Sequence, residues 1–155
     1  MEIDAVISFA NKDVKMHECP IRPEWLLEGS PVCRNLVLSN SADGTATTLL
    51  WDCTAGRFNW FYDIDETLYI IEGAVIIKNP AGVSQRVGAG DTVFFPAGSR
   101  AEWTIETYVR KIAFCRTPLS PSAVFAKRLH RFVRRKLGLD APHNLKPAMF
   151  LAPRA

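Results

Sequence analysis

The chain has 155 residues, of which 48% are hydrophobic and 23% charged, with a net charge of +3. That is enough for one well-buried domain and too short for two ordinary ones. No stretch approaches the ~18 consecutive apolar residues of a membrane helix, and the opening MEIDAVISFANKDVK lacks the apolar core of a secretory signal, so a cytoplasmic location is expected.

The charge is uneven. Residues 1–106 carry eight Lys/Arg against fifteen Asp/Glu, whereas residues 107–155 carry eleven against one acid, Asp140. An acidic body with a basic tail speaks to partners or self-association rather than to fold. Four cysteines (Cys19, Cys33, Cys53 and Cys115) are scattered without a CxxC pair. That spacing points to reduced thiols and away from a zinc site.

From Val32 to Arg116 the pattern predicts short strands separated by turn residues. Val32–Leu38 and Thr45–Cys53 are rich in β-formers and are split by the turn cluster Ser39 to Gly44. Phe58–Tyr62, Thr67–Ile71 and Ala74–Lys78 follow, with Gly73 as a tight turn or bulge and Asn79 to Gly82 as the next hairpin connection. Gln85–Val87, Thr92–Phe95, Ala101–Ile105 and Tyr108–Cys115 complete the series. So many short strands imply an antiparallel sandwich or barrel that protects its edges by near closure. Beyond Pro118 the period changes. Val124/Phe125, Leu129, Phe132/Val133 and Leu137 recur every three to four residues, with Ser120 or Ser122 as cap, Pro121 in the first turn and Gly138 as stop. The expected organisation is therefore residues 1–118 as the barrel with its lead-in strands. Residues 119–155 add a basic amphipathic helix and a proline-containing tail within the same domain.

Two stretches carry a resemblance. DIDETLYIIEG (63–73) places Glu66 before Gly73, and GAGDTVFFPAGSRAEW (88–103) spaces Gly90, Pro96 and Gly98. Together they resemble the paired motifs of the cupin superfamily, G-x5-HxH-x(3,4)-E-x6-G and G-x5-P-x-G-x2-H-x3-N. Trp51 to Phe58, Trp60, Tyr62, Trp103 and Arg110-Lys111 bring the likeness closest to small single-domain cupins of the ureidoglycine aminohydrolase-like and ethanolamine-utilisation groups. The resemblance implies an all-β fold, an antiparallel double-stranded β-helix or jelly-roll barrel, here with a C-terminal amphipathic helix. It also implies a homodimer and, in hydrolytic members, a manganese site held by the motif histidines. Those histidine positions fall on Trp60, Tyr62 and Ala101; only Glu66 remains. The three histidines of the chain, His17, His130 and His143, lie outside both motifs. No metal or other cofactor is expected, unless His17 or His143 folds over the barrel mouth.

Glu66, Trp60 and Tyr62 share one strand face in this register, toward the lumen. A carboxylate there is costly to bury unless paired, and Lys111 on the last strand can supply the opposite charge. One reading is a structural ion pair; another is a ligand-binding carboxylate or a catalytic acid or base, with Lys111 as its partner. Trp51, Trp60, Tyr62 and Trp103, with Ala101, are either core or the wall of a small-molecule pocket. The function expected first is metal-free binding of a small molecule around Trp51, Trp60, Tyr62, Glu66, Ala101 and Trp103. The alternative is an aminohydrolase- or isomerase-type enzyme using Glu66 and Lys111. A third reading is an interaction protein working through the helix, whose residues 127–136 hold six Lys/Arg. Those cations stay in water, meet the acidic body of a second subunit, or contact nucleic acid or an anionic membrane.

Overall fold

A computed structural model describes residues 8–138. Its strands are β1 (His17–Glu18), β2 (Leu26–Glu28), β3 (Cys33–Asn40), β4 (Ala46–Phe61), β5 (Asp65–Lys78), β6 (Ser84–Gly88), β7 (Thr92–Phe95) and β8 (Arg100–Arg116). All pairings are antiparallel, in the order β1-β3-β4-β8-β5-β6, with β2 added to β4 and β7 to β5. This is the expected all-β jelly roll. Among the described residues no helix is long and apolar enough to cross a membrane.

The three long strands are continuous where the sequence pattern suggested pairs of short ones. Thr45–Cys53 and Phe58–Tyr62 fuse into β4, Thr67–Ile71 and Ala74–Lys78 into β5, and Ala101–Ile105 and Tyr108–Cys115 into β8. All three bend at one level. Register shifts fall between Thr54 and Gly56 on β4 and between Gly73 and Ile76 on β5, against Thr104 to Val109 of β8. Bulges bend a strand without ending its ladder, so each long strand serves both layers. Gly73 is required at this bend. Its φ is +73°, and a Cβ there would lie 2.0 Å from the Tyr108 carbonyl oxygen.

Alternation decides what is inside. Leu68 and Ile70 of β5 and Trp103, Ile105, Val109 and Ala113 of β8 are buried, with Phe58 and Cys53 from β4. Complete burial of a large side chain such as Phe58 contributes about 1.5–3 kcal/mol. Cys33 and Cys53 are register partners on β3 and β4, with sulfurs 2.8 Å apart. Their contact and burial push the Cys33 thiol pKa up, and all four cysteines are free.

The chain divides into two compact units, Met1–Pro118 and Leu119–Ala155. Within the second, α1 spans Pro121–Lys136, capped by the Ser120 hydroxyl, which accepts from the Ala123 amide at 3.3 Å. Gly138, at φ +68°, stops it. The tail from residue 139, including His143, lies outside the described residues.

Candidate ligand-binding site

A cavity of about 260 Å³ opens into the barrel. Its buried end holds Glu66 from β5 and Lys111 from β8, 7% and 4% exposed. The Lys111 ammonium donates to Glu66 Oε1. It also sits 5.0 Å from the Trp51 ring centre and 4.9 Å from that of Trp103. Both aromatic faces help to replace the water that the buried cation has lost. Among the described residues the other carboxylate oxygen, Oε2, has only the Cys115 thiol, at 4.0 Å. Burial, and then the Glu66 charge, push that thiol up to about 11, so it stays protonated at neutral pH.

The walls are tryptophan. Trp60 meets Trp51 edge-on at 6.0 Å and Trp25 at 5.5 Å, and Trp51 meets Trp103 at 5.8 Å. All four tryptophans of the chain thus join in one cluster. Leu49 and Ile21 extend the apolar lining, while Arg22, Asn35 and Cys19 supply polar groups. Burial, reinforced by Cys33, lifts the Cys19 thiol to about 11, so it is not a ready nucleophile.

Of the residues expected at the site, Trp51, Trp60, Glu66 and Lys111 line this cavity. Tyr62 and Trp103 stand behind it, and Ala101 lies outside its lining, on a separate hollow beside Asn59 and Arg100. Tyr62 stacks on Phe95 at 4.2 Å, and its hydroxyl accepts from Trp103 Nε1 at 3.0 Å. Burial raises the Tyr62 pKa well above its ordinary value, which keeps the phenol neutral. Ala101 is the register partner of Trp60, and its small side chain stands opposite the large indole across the two strands. Trp25, Arg22, Cys19 and Asn35 also line it, from outside both motifs. Trp25 ends a single 3-10 turn, Pro23–Trp25, which is too short for any periodic signal. Its only cue was Pro23 at the first position of that turn.

The donors present do not fit the divalent metal that the cupin fold suggests. Two histidine positions carry an indole and a methyl group, which offer no lone pair, and the third carries a neutral buried phenol. The remaining carboxylate is engaged by an ammonium group, whose charge opposes a second cation. Among the described residues no three His, Cys, Asp or Glu side chains gather at metal-holding distance, and His17 is exposed on β1.

Residues 40–113 match the family model of the EutQ-like cupin domain. Among solved structures, a protein of unknown function of the DUF861 family from Pseudomonas syringae is 29% identical, with a TM-score of 0.62 over 68% of this chain and 46% of its own. An ethanolamine utilisation protein, EutQ, from Salmonella typhimurium is 24% identical, with a TM-score of 0.50 over 55% of this chain and 69% of its own. The polyketide cyclase RemF from Streptomyces resistomycificus is 17% identical, with a TM-score of 0.55 over 76% of this chain and 83% of its own. At those identities the last two are likenesses of fold alone. No curated protein matches the chain.

Proposed function

The chain belongs to the cupin superfamily, and on that premise we propose that it binds a small organic molecule in the tryptophan-walled cavity without the help of a metal. The observation that carries this reading is the cavity itself. It has apolar aromatic walls and a buried, already paired Lys111–Glu66 at its inner end, the combination by which a pocket fixes both shape and orientation. The test is a small-molecule screen by thermal unfolding, run on wild type and on Trp60→Ala, with and without a chelator. A ligand at 100 times its Kd adds about 2.7 kcal/mol, a shift of several degrees. The expected hits shift wild type, fail to shift Trp60→Ala and ignore the chelator. Hits that need manganese or iron overturn the metal-independent reading.

A catalytic version is favoured by one detail. Among the described residues Glu66 Oε2 has a thiol as its only neighbouring donor, which leaves it able to take a proton from a bound molecule. Turnover of any hit by wild type but not by a variant lacking the Glu66 carboxylate distinguishes an enzyme from a binder. The ureidoglycine-type hydrolysis of manganese cupins is not the activity this donor set supports.

The homodimer implied by the resemblance has a candidate surface. Phe94 and Phe114 lie on either side of Thr67, with Tyr69 two residues along, and all three aromatic rings are 42–50% exposed on the outer sheet face. Light scattering of wild type and Phe114→Ser tests it, a monomeric variant being the expected result.

A further inference from the structure

The charge of the molecule that fits this cavity is also readable, and the inference rests on the binding function just proposed. An aromatic cage with a carboxylate inside it is the usual receptor for a cation. Here three of the four indoles already carry a cation of the protein itself. Lys111 lies over Trp51 and Trp103, and the Arg22 guanidinium lies 4.7 Å from the Trp25 ring centre. The charge of the carboxylate is balanced by Lys111 through Oε1, which leaves Oε2 as an acceptor without net charge to offer. An incoming amine would meet two fixed positive charges and one anion that is already neutralised.

The opposite charge finds the complement. Of the charged groups lining the cavity, Lys111 and Glu66 cancel, and Arg22 remains. Among the described residues the Arg22 side chain makes no ion pair or hydrogen bond and lies over the Trp25 ring. The Asn35 side chain, also on the lining, makes no hydrogen bond among the described residues, so it adds an amide donor without a protein acceptor. Around them the first 106 residues are acidic by a net seven charges. A positive cavity mouth in an acidic body is a local feature, not a general surface property. The edge-on packing of Trp25, Trp60 and Trp51 leaves indole faces and edges to line the space, which suits a flat apolar body. At about 260 Å³, below the usual 300–1,000 Å³ of ligand pockets, it admits little more than one ring.

We infer that the cavity takes a small planar anion, a monocyclic aromatic or unsaturated carboxylate, with its apolar body among Trp25, Trp51 and Trp60 and its carboxylate on Arg22 and Asn35. Arg22 is then a specificity residue: it selects acids over amines and amides of the same shape.

The experiment is calorimetric titration with three planar probes of one shape, namely benzoate, benzamide and benzamidinium, against wild type and Arg22→Gln. The tryptophan cluster supplies an independent fluorescence readout. Benzoate is expected to bind wild type at least about tenfold more tightly than benzamide, benzamidinium not at all, and R22Q to bind benzoate only as well as benzamide. Because Arg22 is exposed in a loop, unchanged thermal unfolding of R22Q verifies that the fold is kept. If benzamide matches benzoate, or R22Q retains the preference, the anion assignment is overturned while the pocket stands. If benzamidinium binds best, the charge argument is reversed. If none binds wild type, the assignment to one-ring carboxylates falls; the screen above then decides separately whether the pocket binds anything.

Discussion

Two carboxylates are buried in this barrel, and their surroundings could hardly differ more. Asp52 on β4, 1% exposed, accepts from Arg34 Nε at 2.9 Å, from Arg34 Nη2, and from the Tyr108 hydroxyl at 3.0 Å. Its contact with Arg34 crosses β3 and β4 in register. The pairing in turn raises the Arg34 pKa, and burial followed by the Asp52 contact raises that of Tyr108. Glu66 has one charged donor, Lys111, and a thiol at 4.0 Å. A carboxylate has about four acceptor sites. Asp52 spends most of its capacity on the fold, whereas Glu66 keeps capacity facing a cavity. Burial alone therefore does not mark function; unspent hydrogen-bonding capacity beside an open volume does.

Breaking each site separately is the most direct test of that contrast. Glu66→Gln leaves the Lys111 ammonium buried without its counter-charge and is expected to cost about 3–5 kcal/mol in denaturant unfolding. Asp52→Asn should cost less, about 1–3 kcal/mol. The Arg34 side chain is 47% exposed and reaches water, and the amide oxygen still accepts from Tyr108. A larger loss for Asp52→Asn than for Glu66→Gln would show that the better-satisfied site is also the costlier one to break, and the contrast would need a different basis. Removing both charges of the inner pair sharpens the point. Glu66→Gln combined with Lys111→Met should return to within about 1 kcal/mol of wild type, because a buried pair replaced by neutral groups of similar volume is nearly neutral. The same double variant should lose ligand binding. Full stability with intact binding would mean that the inner pair takes no part in recognition.

Most of the Glu66 site was legible before the structure, for a specific reason. The spacing from Glu66 to Gly73 and from Gly90 through Pro96 to Gly98 sets strand register, and register sets which side chains share the lumen. Trp51, Trp60, Glu66 and Lys111 follow from it. Depth along the lumen does not. Alternation places Tyr62 and Trp103 inside but cannot tell that they lie behind Trp51 and Trp60, packed on Phe95. The fused strands were hidden for a related reason. Gly73 reads equally as a turn or a bulge, and only the approach of the Tyr108 carbonyl from a strand 35 residues away selects the bulge. Trp25 and Arg22 belong to a turn without periodicity, so the open end of the cavity left no trace in the pattern. The Asp52 site was invisible as well. Its partners Arg34 and Tyr108 lie 18 and 56 residues away, on two different strands.

The smallest expected effect separates the two sites by alkali. The Cys115 thiol beside Glu66 is raised from 9.0 to about 11, and Cys19 on the cavity lining likewise. Below pH 9 these thiols hold their protons in both folded and unfolded chains, so their contribution to stability is fully present. From pH 9 upward the unfolded chain ionises while the folded one does not, and stability falls until the folded thiols ionise near pH 11. Tyr108, beside Asp52, starts from 10.0 and is raised further, so its loss begins only above pH 10. Unfolding temperatures measured from pH 8 to 11 should therefore decline first through the raised thiols, Cys115 of the Glu66 site together with Cys19 and Cys33, before Tyr108 contributes. Cys115→Ala should make the decline between pH 9 and 11 shallower, while Tyr108→Phe should leave the range from pH 9 to 10 unchanged. If Tyr108→Phe instead flattens that lower range, the Asp52 site is the more sensitive to proton loss, and its apparent saturation does not protect it.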